Sequence, residues 1–285
     1  MIMGITARTV VAGVAGSPIR HSLSPSVHNA WLRASGVDGV YVAFEPRAET
    51  FTAFATGLRG GVIRGLNVTA PFKEVALALA DGATERALRS GSANLLIFAA
   101  DGAIHADNTD GEGLLGAFRL QAPHFDARAG PVLILGAGGA ARGAAASFLE
   151  AGAPKVIFIN RSIQRGSRLA TLFGSSTSAV DVSGAREMFS EANAVINATP
   201  LGLHGSAGPD VSIDRLPPGC VVMDMIYRPV RTDLLDKAAR AGLATVDGLA
   251  MLIGQAIPSF QAFFGLAPPP IDIRALAIEA LENGG

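Results

Sequence analysis

Lys73 ends the run NVTAPFK at 67–73, and Asp110 falls within DNTDG at 107–111. A lysine donates a proton to a ketone oxygen, or takes one from an alcohol, and a nearby carboxylate orients it and shares that proton. Asn67, Thr69, Asn108 and Thr109 in the same runs offer the directional hydrogen bonds that a polyhydroxylated ligand needs. The chain is 49% hydrophobic and 16% charged, so this much polarity in two short runs points to a site. The alternative is a surface salt bridge flanked by loop residues, because most charged side chains are solvated.

A different chemistry lies at 131–161, PVLILGAGGAARGAAASFLEAGAPKVIFINR. A buried strand here runs into Gly136-Ala137-Gly138-Gly139-Ala140-Ala141, and an alanine-rich helix follows. This is the G-x-G-x-x-A pattern in its required context, after a strand and before a helix. Gly136 permits the tight turn, Gly138 lets backbone approach a pyrophosphate, and Ala141 lets helix and strand pack closely. The helix N-terminus offers amides to the phosphates. The alternative is a purely structural glycine turn. At the end of the next strand, readers of NAD place a carboxylate for the ribose hydroxyl. Here stand Asn160, Arg161 and Ser162, with Arg165 beyond. Nothing there repels a 2′-phosphate, and a guanidinium pairs with one in a fork. NADP is therefore expected over NAD, against the reading that Arg161 and Arg165 share a solvated helix face.

Ser22, Ser24 and Ser26 alternate in HSLSPSVHN at 21–29. Such hydroxyls grip a carboxylate without a buried cation; the alternative is a turn and helix cap, with Ser24 capping the first helix. His21 and His28 are read as polar partners beside this loop. No histidine pair has convincing metal spacing, and His105-Ala106-Asp107 is read as structural, so no metal is expected. Cys220, the single cysteine, lies in the apolar run CVVMDM and reads as an inert core residue in a cytosolic setting.

The elements that must carry these residues follow from periodicity. A length of 285 residues is a prior for two domains. A net charge of −1 without runs of like charge excludes steering toward nucleic acid or an anionic membrane, and no apolar stretch is long enough to span one. The apolar N-terminal segment reads as a first strand and not as a signal peptide. Strand-like runs occur at 9–14, 39–45, 65–69, 94–98, 131–136, 155–160, 194–199 and 221–225. Helix candidates lie near 25–35, 48–60, 71–80, 110–121, 139–151, 162–174, 231–241, 248–264 and 271–282. This alternation predicts an α/β protein with parallel sheets. The pattern restarts after QAPHFDARAG, so residues 122–246 are expected to form an inserted domain and 1–121 with 247–285 a discontinuous one.

HSLSPS, NVTAPFK, GSANLL, DNTDG, GAGGAAR, NRS and DGLAMLIGQA together resemble the shikimate dehydrogenase family, in that family's order from about residue 10 to 265. The resemblance implies a mixed α/β substrate domain and a Rossmann NADP-binding domain with a cleft between them. It implies that Ser22 and Ser24 hold a shikimate carboxylate with Tyr227 nearby, and that Asn67, Thr69, Asn94 and Asp110 bind ring hydroxyls. It makes Lys73 and Asp110 the catalytic pair, and brings Gln255 to the substrate from the closing helix. Gly136, Ala137, Gly138, Gly139, Ala140, Asn160, Arg161, Ser162 and Arg165 would hold NADP, with Asn197, Thr199, Met223 and Met225 bordering the nicotinamide. Ala70, Leu95, Ala250, Ile226 and Arg228-Pro229 depart from the family's usual residues. Quinate and aminoshikimate thus stay open as substrates, as does a non-catalytic ligand-binding protein on the same scaffold. The expected state is a monomer or homodimer acting on a small molecule.

Overall fold

The apolar runs become strands, and the stretches between them become helices. The structure, a computed structural model, describes residues 5–60 and 63–283. The chain divides into two units, Met1–Asp110 with Gln255–Gly285, and Gly111–Gly254.

In the first unit, β1 (Val10–Ala15), β2 (Gly39–Phe44), β3 (Ile63–Val68), β4 (Gly82–Ala83), β5 (Leu95–Phe98) and β6 (Ile104–Asp107) form one sheet, in the order β2-β1-β3-β5-β6-β4. β1 pairs parallel with β2 and β3, but β5 runs antiparallel to both β3 and β6. The expectation of parallel sheets throughout is corrected here. A parallel neighbour needs a crossover of a dozen or more residues, and only residues 99–103 separate β5 from β6. Ala99 N–H donates to the Ala103 carbonyl at 2.9 Å, and Gly102, at φ +89°, closes the hairpin.

Four helices connect these strands: α1 (Ser24–Ser35), α2 (Phe51–Thr56), α3 (Lys73–Ala78) and α4 (Glu85–Ser90). Ser24 does not cap α1. The cap position is Leu23, already in helical conformation, and it forms no side-chain cap, so Ser24 becomes the first helical residue. Gly36, left-handed at φ 70°, ends the helix by returning its N–H to the Leu32 carbonyl at 3.1 Å.

His28 is not a polar partner of the serine loop. Its ring stacks on Tyr41, with centroids 4.0 Å apart and planes 4° from parallel, and meets Trp31 edge-on. Neither ring nitrogen has a hydrogen-bond partner. Burial pushes its pKa from 6.5 down to about 3. A folded-state pKa below the unfolded one means that stability is intact above about pH 6.5 and declines as the pH falls toward 3. The imidazole alone is expected to remove about 2 kcal/mol of stability between pH 7 and pH 5. Denaturant melts at both pH values should show a shallower decline for His28→Phe than for the wild type; equal declines would exclude the histidine as the cause.

The second unit holds α5 (Asp110–Gln121) after its first residue, β7 (Val132–Leu135), α6 (Gly139–Glu150), β8 (Val156–Ile159), α7 (Ile163–Phe173), β9 (Thr177–Val180), β10 (Ala194–Asn197), β11 (Val221–Asp224), α8 (Asp233–Arg240), β12 (Ala244–Asp247) and the start of α9 (Gly248–Phe264), which belongs to the first unit from Gln255 onward. Its sheet is wholly parallel, in the order β12-β11-β10-β7-β8-β9. The chain steps outward through β8 and β9, then returns to start β10 beside β7. This is the doubly wound order, and ligands bind where it reverses, at the carboxyl ends of the strands. Ile134, Phe158 and Ile196 pack on one face with Phe148, while Leu133, Ile157 and Val195 pack on the other with Leu234. Burial on both faces explains why these strands read as unbroken apolar runs. Cys220 is buried, and its thiol is pushed up to about 12, which leaves it inert at neutral pH. A last helix, α10 (Ile273–Glu282), packs on α1 in the first unit.

Candidate active site

In the first unit the site begins at the carboxyl ends of β1 and β3, which are parallel neighbours. The loop after β1 carries Ser22 and leads into α1 at Ser24, whose backbone N–H reaches the Ser22 hydroxyl at 3.3 Å. The loop after β3 carries Thr69, which donates its N–H to the Ala15 carbonyl at 2.9 Å. Ser17 N–H joins the two loops through the Ala70 carbonyl at 3.1 Å.

Lys73 opens α3 and Asp110 opens α5. The Lys73 ammonium donates to Asp110 Oδ2 at 2.5 Å. The two side chains are 26% and 20% exposed, which separates this pair from a freely solvated surface bridge yet leaves both within reach of a ligand. The other carboxylate oxygen, Oδ1, accepts from Asn94 Nδ2 at 2.9 Å. Asp110 N–H donates to Asn108 Oδ1 at 3.0 Å, and the Asn108 amide group in turn donates to the Ser92 carbonyl at 2.9 Å. The DNTDG and GSANLL runs are therefore one polar assembly that aims Asp110 at Lys73.

Asn94 is the junction. Its Oδ1 accepts Thr109 N–H at 2.8 Å, and its amide also points to Gln255 Oε1 at 3.3 Å. Thr109 donates its hydroxyl to the Gln255 carbonyl at 3.1 Å, so Gln255 joins the cluster from α9. Asn67 is engaged within the protein at both ends of its amide. Nδ2 donates to the Asn94 carbonyl at 3.1 Å and to Ser259 Oγ at 2.8 Å, while Oδ1 accepts from the Tyr41 hydroxyl at 2.8 Å. Tyr41 and Ser259 carried no sequence signal, because a buried tyrosine and a helical serine look like ordinary core positions. Tyr227 follows β11 in the second unit.

In the second unit a cavity of about 430 Å³ opens at the ends of β7, β8 and β10. Gly136, Ala137, Gly138, Asn160, Arg161, Arg165 and Thr199 line it. Gly136 has φ +110°, and a Cβ there would lie 3.1 Å from the Ala198 carbonyl oxygen. At Gly138 and Gly139 a Cβ would meet nothing within 4 Å, which leaves the glycine turn open for phosphates. Arg161 and Arg165 on the lining fit an added phosphate, and β8 is followed by Asn160 where a carboxylate would oppose one; Asp210 is the acidic residue on the wall. A dinucleotide with a 2′-phosphate fits this donor set.

Gly139 and Ala140 form the first turn of α6, and Ser162 caps α7 by accepting Arg165 N–H at 3.4 Å. Asn197 lies behind Thr199, and Met225 follows β11. Sequence reading missed Val182, Leu201, Pro209 and Asp210 on the cavity wall. Val182 and Leu201 are exposed apolar side chains, 45% and 47%, suited to a base or nicotinamide face.

Comparison with known proteins settles the family. The shikimate dehydrogenase substrate binding domain matches residues 14–96, and shikimate / quinate 5-dehydrogenase matches 120–202. A shikimate dehydrogenase (NADP(+)) of Caulobacter vibrioides is 54% identical over 282 residues, covering 99% of both chains. This chain belongs to the shikimate dehydrogenase family. Among solved structures, the shikimate 5-dehydrogenase of Thermus thermophilus in complex with NADP(H) and shikimate superposes with a TM-score of 0.83. It is 34% identical, and the match covers 97% of this chain and 100% of that one. The quinate dehydrogenase of Corynebacterium glutamicum in complex with NAD is more distant, at 28% identity, with a TM-score of 0.84 and coverage of 96% and 99%.

Proposed function

We propose that this chain reduces 3-dehydroshikimate to shikimate, reversibly and with NADP(H), as a step toward chorismate and the aromatic amino acids. The observation that carries the reading is the Lys73–Asp110 contact braced by Asn94. NADPH, when bound, supplies the hydride to the ketone carbon. Lys73 donates the proton to the ketone oxygen, and in the reverse direction Lys73 or Asp110 takes it from the alcohol. Asp110 holds the ammonium in place, so the proton leaves from a fixed direction. Ser22 and Ser24 hold the substrate carboxylate, with Tyr227 beside it. Thr69, Asn94, Asp110 and Gln255 bind the ring hydroxyls, and Asn67 keeps the Asn94 strand in register. The unit that contains Lys73 is the substrate domain, and the glycine-turn unit is the NADP domain.

We place the protein in the cytoplasm as a monomer or homodimer. Among the described residues no helix is long and apolar enough to cross a membrane.

The test is absorbance at the reduced-nicotinamide band with shikimate, quinate and aminoshikimate, each with NADP and with NAD. Growth of that band with shikimate and NADP is the expected result. Turnover of quinate or aminoshikimate alone would reassign the substrate, and silence across the panel would make the protein a ligand binder.

A further inference from the structure

Asp224 takes no part in the chemistry above, yet it is fully buried and its hydrogen bonds lead to the NADP cavity. It closes β11 directly opposite Asn197, the last residue of β10. Its Oδ1 accepts Asn197 Nδ2 at 2.9 Å and Ile226 N–H at 3.1 Å, and its Oδ2 accepts the Thr232 hydroxyl at 2.7 Å. All three donors are neutral. Burial raises the pKa of this carboxyl while the three donors hold it down. A carboxylate buried without a cation is costly at a strand end, where an apolar residue would pack freely.

Donor and acceptor counts around Asn197 show what the carboxylate does. Both amide hydrogens of Asn197 are committed, one to Asp224 and one to the Leu201 carbonyl at 3.0 Å. Its Oδ1 accepts Thr199 N–H at 3.0 Å and the Thr199 hydroxyl at 2.6 Å. Turning the amide over would set its oxygen against the Asp224 carboxylate, so the carboxylate selects one orientation. That orientation places Thr199, whose hydroxyl oxygen accepts Leu201 N–H at 3.2 Å. Thr199 and Leu201 are cavity wall, and Thr199 Cγ2 would be 3.2 Å from a Cβ at Gly136.

We propose that Asp224 is a positioning residue that locks the Asn197–Leu201 segment against the glycine turn and so shapes the NADP site. This rests on the reading of the cavity as that site. Calorimetric titration of the full chain tests it. Asp224→Ala should weaken NADP binding about tenfold, as expected for the loss of an aligned hydrogen-bond network. KM for NADP should rise in step, while shikimate affinity stays within about twofold, its binding groups apart from Tyr227 lying on other elements. Asp224→Asn retains a carbonyl oxygen for Asn197 and Ile226 and should restore NADP affinity to within about threefold of wild type. If the alanine variant does not fold, Asp224→Ser replaces it with the same expectation, because its short hydroxyl cannot serve all three donors. Unchanged NADP affinity with only a lower melting temperature would overturn the proposal. Equal losses for NADP and shikimate would do the same. A wild-type chain that does not bind NADP would instead remove the reading of the cavity.

Discussion

Lys73→Ala is expected to lower turnover by about 10²–10⁴, the usual contribution of a positioned general acid or base, and to leave shikimate binding largely intact. The geometry predicts this division. Lys73 reaches Asp110 through its ammonium, whereas Asn94 and Gln255, two of the ring-binding groups, are held to each other and to the buried Thr109 without it. Removing the lysine takes away a proton donor and leaves the polar assembly standing. Steady-state kinetics with direct measurement of shikimate affinity checks both halves. Near-wild-type turnover would remove Lys73 from the chemistry. A loss confined to affinity would make it a binding residue.

The double variant Arg161→Ala with Arg165→Ala should bind NADP about a hundredfold more weakly, taking about tenfold for each charge-assisted hydrogen bond removed at a solvent-facing site. Binding of NAD should change by less than about threefold, because NAD lacks the phosphate that these groups are placed to meet. Both guanidinium groups line the cavity at the end of β8. The preference for NADP should also weaken as salt is raised, since exposed charges are screened over about 10 Å at 0.1 M. Measuring both affinities at two ionic strengths checks the claim. A double variant that keeps its preference for NADP would shift the source of selectivity to neutral donors on the wall such as Asn160 and Thr199.

Much of the site was legible because its chemistry needs particular residue types in short runs. The glycine turn must be small, so Gly136, Gly138 and Ala141 announce it. The strands flanking it are buried on both faces, so VLIL and VIFI stand out as unbroken apolar runs. β4, β6, β9 and β12 escaped the same reading. They are short, and β4, β9 and β12 each have a single neighbour, so they carry mixed polarity in place of an apolar run.

The sequence by itself determined the doubly wound half, the two polar runs and the absence of an acidic residue at the end of β8. Local patterns suffice there, because periodicity and turn chemistry act over a few neighbours. Only the tertiary structure decided that Asn94 links Asp110 to Gln255, that Asn67 is engaged by Tyr41 and Ser259, and that Asp224 orders Asn197. Those contacts join residues far apart in the chain. An asparagine shows nothing of its partners until folding excludes water and obliges each buried donor to find an acceptor.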